Sequence, residues 1–440
     1  MTIQRMKPLF SALTLALAIC SSPASAIDVP ELVKRIDASL AQNYASLDAL
    51  YKDLHASPEL GYQEFATAAR LAKEMRALGF EVTEKVGQTG IVAIYKNGPG
   101  KTVLVRTEMD ALPMEEKTGL SYASTVKTKW MGADTYVAHS CGHDIHMASW
   151  VGTAKALLAM KDQWKGTLMF IGQPAEESVN GAQSMINDGL FSRFGKPDMG
   201  FALHVSAEPA GLVIYKPGIA SSNSDGLDIV FKGRGGHGSM PSVTIDPILM
   251  GSRFVVDVQS VISREKDASQ FGVVTVGSIQ GGSAGNIIPD SVQLRGTIRS
   301  YTPEVRRVLH NGINRTAKAV ADMAGAEAPQ VKITSGGNAV VNDAAVTEMT
   351  ASVFKQAFGP RAVLMPAPSP ASEDYSDFII AGVPSLFFII GGVDGAKLAE
   401  IRASGKPVPV NHSPFFAPSP EPSIKTGVKA MSLAVINALQ

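Results

Sequence analysis

Thr167-Leu168-Met169-Phe170-Ile171-Gly172-Gln173-Pro174-Ala175-Glu176-Glu177-Ser178 is a short apolar run that ends in a Gly-Gln-Pro corner and a bare pair of glutamates. Residues 167–171 have the length and uncharged character of a buried strand. Ligands of open α/β sheets gather beyond the carboxyl ends of the strands, which is where this run leaves its two carboxylates. Adjacent glutamates in a loop splay apart, so one can ligate a cation while the other stays free.

Working outward, the same alternation recurs on both sides. Helical patterns cover 29–54, 64–78 (closed by Gly79 as a C-terminal glycine) and 145–160; strand patterns cover 91–95, 102–107 and 200–204. Strands separated by helices predict an α/β fold with a mainly parallel sheet covered on both faces. The pattern then changes. A strand at 227–232, a helix at 246–263, strands at 273–279 and 292–299, a helix at 303–323 and a strand at 330–334 spell β-α-β-β-α-β, the ferredoxin-like unit. It reads as an insertion, because a helix at 345–358, a strand at 384–390 and a helix at 423–439 follow it. The expected division is a first domain over 27–221, an inserted domain over 222–338, and completion of the first domain over 339–440.

Residues 1–26 read as a leader. Arg5 and Lys7 precede an apolar run over 9–19 too short to span a bilayer, and Ala24-Ser25-Ala26 supplies a small-x-small cleavage site. The expectation is export, to a periplasm or to the medium. Cleavage there would remove Cys20 and leave Cys141 as the only thiol, so no intrachain disulfide could form. Without Arg5 and Lys7, the balanced 40 basic and 40 acidic residues become a net charge near −2, with no run of like charges. Nucleic-acid and anionic-membrane partners therefore get no support. No other apolar stretch reaches membrane-spanning length without Gly, Pro or charge.

The chemistry concentrates in His139-Ser140-Cys141-Gly142-His143-Asp144-Ile145-His146, just before a helix. Cys141 and His143 are two residues apart, with Gly142 easing the turn between them. His204 ends the 200–204 strand, and His412 lies in Asn411-His412-Ser413-Pro414 ahead of the last helix. Four segments thus bring metal-competent side chains to one rim of the sheet. Glu177 is assigned to the metal and Glu176 to the base that takes a proton from metal-activated water. A cysteine-nucleophile hydrolase built on Cys141 would leave Glu176, His204 and His412 idle, and a non-catalytic binder would not need Glu176. Plainer readings fit the rest. His55 is structural, His139 and His146 support the ligands, Glu373-Asp374 stands behind the site or on the surface, and His310 shares a solvated helix face with Arg306 and Arg307.

The windows His55-Ala56-Ser57-Pro58-Glu59-Leu60-Gly61, Met109-Asp110-Ala111-Leu112-Pro113, Cys141-Gly142-His143-Asp144, Gln173-Pro174-Ala175-Glu176-Glu177, Gly235-Gly236-His237, Asn286-Ile287-Ile288-Pro289-Asp290 and His412-Ser413-Pro414 follow in order. Together they resemble the M20 metallopeptidases, in the amidohydrolase branch of hippurate hydrolases, aminoacylase-like enzymes and plant auxin-conjugate hydrolases. The resemblance implies a metal-binding catalytic domain with an inserted lid or dimerisation domain, and a homodimer formed through it. It implies two divalent ions per subunit, Zn2+ or Mn2+, with Co2+ or Ni2+ as further candidates. Cys141, His143, Glu177, His204 and His412 match the ligands, with Cys141 as the bridge, and Glu176 matches the base. His237 matches a residue that stabilises the oxyanion, in some relatives from the partner subunit. Asn286 and Arg299 match substrate contacts, Arg299 for a carboxylate. The implied reaction is attack of metal-activated hydroxide on the amide of an N-acyl amino acid, with carboxypeptidase or dipeptidase action on short peptides as the close variant. Two departures stand out: Thr107-Glu108 replaces the branch's usual Ala-Asp, and Gly238-Ser239 follows His237 in place of an Ala-rich continuation.

Overall fold

The computed structural model describes residues 27–440; the expected leader over 1–26, with Cys20, lies outside the described residues. An eight-stranded sheet runs in the order Glu81–Val86, Gly90–Lys96, Thr167–Gln173, Thr102–Glu108, Met199–Pro209, Ser385–Val393, Val213–Tyr215, Ala362–Leu364. The three pairings at its centre, from Thr167–Gln173 across to Ser385–Val393, are all parallel. Parallel central strands are buried on both faces, and these carry the near-continuous apolar runs seen in the sequence. The register sets the rim of the site: Glu108 stands opposite Gln173 and His204 opposite Ile389.

The helix His143–Ala159 is buried almost all round, sandwiched between the sheet and the helices Val29–Ala56 and Pro420–Leu439. Its first turn therefore cannot move without disturbing the core. The outer helix Val29–Ala56 starts at Asp28, whose side chain accepts the Glu31 N–H at 3.0 Å. Gly79 ends the helix Phe65–Ala77 with φ +85°, as its position in the sequence predicted. Among the described residues no helix is long and apolar enough to cross a membrane.

Residues 225–335 build a second, antiparallel sheet in the order Gly272–Gln280, Ser291–Ser300, Asp225–Lys232, Gln330–Ser335. Its helices Pro247–Asp257, Gln259–Arg264 and Pro303–Met323 pack with it around a separate core that includes Phe231, Phe254, Leu294 and Ile313. Chain order and strand order together are those of the ferredoxin-like unit. The single helix expected over 246–263 breaks at Val258 into two.

One expectation needs correction. Arg306 and His310 do not lie on a solvated face. They turn inward to Asp225, whose side chain is fully buried at the start of its strand, with Arg306 Nε at 2.8 Å and His310 Nε2 at 2.7 Å. A buried carboxylate demands such partners, and helical periodicity cannot show what reaches across from a strand 81 residues earlier. Glu373 and Asp374, expected behind the site or on the surface, take the first of those places: both are buried beside Arg106.

Candidate metal centre

The turn carrying the glutamate pair is bracketed by two non-glycine residues in the left-handed region, Ala175 (φ 49°) and Val179 (φ 54°). Such backbone is costly unless its surroundings fix it. Here the buried Glu64 does so, accepting the Ala175 N–H at 2.8 Å and the Thr89 hydroxyl at 2.6 Å. Burial, with Asp110 nearby, raises the Glu64 carboxyl to about 7. Asp110 Oδ2 accepts the Glu177 N–H at 2.9 Å. Gly142 takes φ +92°, and a Cβ there would stand 2.4 Å from Val205 Cγ1, so Cys141 and His143 turn closely against the Met199–Pro209 strand. Asn411 ties the His412 loop down, its amide donating to the carbonyls of Cys141 (2.9 Å) and Val205 (3.0 Å).

These segments bring six side chains together, the five candidate ligands and Glu176. Cys141, Glu177 and His412 offer donor atoms within 4.8 Å of one another, and so do His143, Glu176 and Glu177. Cys141 Sγ is 3.4 Å from His204 Nε2, and His412 Nε2 is 3.3 Å from Glu177 Oε2. His143 Nε2 lies 4.0 Å from Glu177 Oε1. Ligands about 2.1 Å from one ion stand roughly 3–4 Å apart, so the spacing suits shared cations.

Hydrogen bonding fixes which nitrogen faces the cluster. His143 Nδ1 donates to the Asp110 carbonyl at 2.7 Å and His204 Nδ1 to the Val205 carbonyl at 2.8 Å, leaving both Nε2 lone pairs inward. His143 Nε2 and Glu177 Oε1 are buried and have no hydrogen-bond partner among the described residues. Orphaned buried donors aimed at one point, with a thiol and a third imidazole beside them, fit a divalent metal centre.

The electrostatics agree. Burial, with His146 alongside, drives His204 down to about 3, which keeps it neutral as a ligand must be. Burial works against charge on His143, but Asp110 and Glu108 outweigh it and carry the imidazole up to about 10. A cation in the cluster would replace that proton. For Glu177, burial is outweighed by His412 and His143, which hold the carboxyl below its usual range. Burial and the neighbouring carboxylates Glu373, Glu177 and Asp374 push Glu176 well up, against the pull of Arg106. Burial and the glutamates push the Cys141 thiol up as well, a surrounding unlike the electropositive one that activates a cysteine nucleophile.

His146 is a support: its Nε2 accepts the Val205 N–H at 2.8 Å and its Nδ1 donates to Glu108 at 2.9 Å. Glu108 in turn pairs with the buried Arg106, which also binds Glu373 (2.6 Å) and Asp374 (3.2 Å). His139 is buried with neither ring nitrogen bonded. Sequence reasoning gave no role to Asp110, Glu64, Asn411 or Arg106. Asp110 follows the end of the Thr102–Glu108 strand, so the strand-end rule that found Glu177 could have found it.

A cavity of about 620 Å³ opens from the cluster, lined by Cys141, Glu176, Glu177, His204 and His412 at one end and by Arg299 elsewhere. His237 and Asn286 are not part of it. They sit together, exposed, where Gly236–His237 pairs with Ile287–Ile288 in the inserted unit. One chain therefore does not carry them to its own cavity.

The profile of peptidase family M20/M25/M40 matches residues 104–435. The chain belongs to peptidase family M20. It is 36% identical to the hippurate hydrolase of Campylobacter jejuni over 333 residues, 74% of this chain and 82% of that one. It is 33% identical to thermostable carboxypeptidase 2 of Saccharolobus solfataricus over 366 residues, 82% and 89% of the two. The crystal structure of the Bacillus subtilis YXEP protein, a dinuclear metal-binding peptidase from the M20 family, superposes with a TM-score of 0.72 at 26% identity, covering 91% of this chain and 99% of that one. As an M20 protein with this cluster, the chain is a metal-dependent hydrolase of amide or peptide bonds.

Proposed function

We propose that this M20 hydrolase is an exported amidohydrolase that releases the amino acid from N-acyl amino acids. The observation that carries the reading is the set of unpartnered buried donors beside Glu176, at the mouth of a cavity whose lining includes Arg299. When bound by Cys141, His143, Glu177, His204 and His412, two divalent ions would polarise the amide carbonyl and acidify a water, zinc or manganese being the first candidates and cobalt or nickel the next. Glu176 takes the proton of the attacking water as its oxygen bonds to the carbonyl carbon. It then passes that proton to the amine nitrogen as the C–N bond breaks, leaving a carboxylate and a free amino acid. Arg299 holds the amino acid's own carboxylate, its guanidinium being fixed by the hydroxyls of Ser224 and Thr297.

His237 stabilises the oxyanion from a second copy of the chain, with Asn286 beside it contacting substrate. The exposed apolar side chains of Met240, Val243, Leu249 and Ile287 around that hairpin support a homodimer through the inserted unit. Arg299 would serve the end of a short peptide equally well, and the carboxypeptidase relative favours that as the second reading.

The test is amino-acid release from N-acetyl and N-benzoyl amino acids and from dipeptides, with and without a chelator. Chelator-sensitive release of amino acid from the acyl substrates is expected. Release from dipeptides alone would shift the assignment to a peptidase, and release indifferent to chelation would remove the metal from the account.

A further inference from the structure

Two cations line the cavity with no carboxylate paired to either among the described residues. Arg299 is half-buried and held only by neutral oxygens: Ser224 Oγ at 2.6 Å, Thr297 Oγ1 at 2.5 Å and the Ile298 carbonyl at 3.2 Å. Lys216 follows the Val213–Tyr215 strand, and its ammonium makes neither a hydrogen bond nor an ion pair there. Its backbone is nonetheless fixed. The Lys216 carbonyl accepts the Asn342 amide at 2.8 Å, and the same buried side chain bonds the Phe387 carbonyl (2.9 Å) and N–H (2.8 Å) on the Ser385–Val393 strand. The three carboxylates in the lining are engaged elsewhere, Glu176 and Glu177 at the ligand cluster and Glu373 on Arg106.

One such cation is accounted for by the carboxylate of an N-acyl amino acid. A second one, unpaired in the same cavity, is free to take another anion. We infer that the substrates of this site carry two carboxylates, one taken by Arg299 and a second taken by Lys216. The inference rests on the amidohydrolase reading and narrows it to dicarboxylic N-acyl amino acids. The second carboxylate belongs either to an acidic amino-acid side chain or to the far end of a diacid acyl group. The rest of the lining, with Tyr215, Met365, Phe387 and Ile389 beside the hydroxyls of Ser221 and Ser369, offers no competing charge.

Two matched pairs test this with the metal-loaded wild-type protein: N-acetyl-L-glutamate against N-acetyl-L-glutamine, and N-succinyl-L-alanine against N-butyryl-L-alanine. The diacid of at least one pair should have the higher kcat/KM by about 10- to 100-fold, the range of a hydrogen bond to a charged group, mainly through KM. The pair that shows it identifies the source of the second carboxylate. Lys216→Met should close the gap between the members of that pair, and Lys216→Arg should keep it open. Equal kcat/KM within both pairs, or a gap that survives Lys216→Met, would overturn the inference while leaving amide hydrolysis standing. Should none of the four be hydrolysed, the amidohydrolase reading fails separately, and calorimetry on Glu176→Gln protein decides Lys216. Tighter binding of a diacid than of its neutral partner, lost in the double variant with Lys216→Met, supports the assignment; equal binding overturns it.

Discussion

Two buried clusters of histidine and carboxylate meet at the first turn of one helix, and they differ in how far their hydrogen bonding is satisfied. At Asp144, His55 stands between two carboxylates, with Nδ1 at 2.6 Å from Asp144 and Nε2 at 3.0 Å from Glu116, so both ring nitrogens are used. At His143, one residue earlier, only Nδ1 is used; among the described residues Nε2, like Glu177 Oε1, has no hydrogen-bond partner. Both set buried imidazole against buried carboxylate, and the second adds the Cys141 thiol and the imidazoles of His204 and His412. The saturated one fastens the end of Val29–Ala56 to the core; the unsaturated one is built for a cation. What separates structure from function here is valence left over, together with the thiol and extra imidazoles around it.

Three substitutions sharpen or break that contrast. The largest effect should come from Glu176→Gln, which keeps shape but cannot take a proton. A fall in kcat of about 10²- to 10⁴-fold is expected, with metal content unchanged. Near-wild-type turnover in steady-state assays would remove Glu176 as the base.

Next, His55→Gln should destabilise the fold by about 3–5 kcal/mol in denaturant titrations, because it leaves buried Asp144 without its cation. Burial opposes the His55 charge, but Asp144 and Glu116 outweigh it and raise the imidazole to about 10. The stabilisation is therefore complete below the unfolded imidazole's value of about 6.5 and is lost as pH rises through the folded value. The stability gap between wild type and variant should narrow between neutral pH and pH 10. A gap that widened over that interval would contradict a charged His55.

The smallest effect concerns the support behind the ligands. Glu108→Gln weakens the grip on His146, and through it on the strand that presents His204. Metal affinity should drop by about 10- to 100-fold in competition with a chelating dye, the usual cost of losing such a partner. Unchanged affinity would mean that Thr107-Glu108 is a neutral replacement.

Much of this was legible before any coordinates. Strands such as Thr102–Glu108 and Ser385–Val393 are apolar runs buried on both faces, and Pro303–Met323 carries proline in its first turn and a Thr302 cap, the 3.3 Å contact from the Val305 N–H. The five candidate ligands could be picked out because each lies near a strand end or a helix start, and the fold brings them to one cluster. The strand Glu81–Val86 and the hairpin Lys127–Trp130 with Ala133–Tyr136 were not, since their half-exposed, charged residues show no apolar period. Arg106, Glu373 and Asp374 read as polar positions on a line of text. Only the fold brings residues 267 positions apart into one buried ion network. His237 was singled out by resemblance alone, and a single sequence does not show that it sits exposed in the inserted unit, away from the cavity lining.

The most direct test is the metal content of the purified protein by elemental analysis, for wild type, His143→Ala and His55→Gln. Two divalent ions per chain are expected in wild type and in folded His55→Gln, and fewer in His143→Ala, because only the unsaturated cluster holds them. A wild-type chain that hydrolyses amides with no bound metal, or a His143→Ala chain that keeps both ions, would contradict the account.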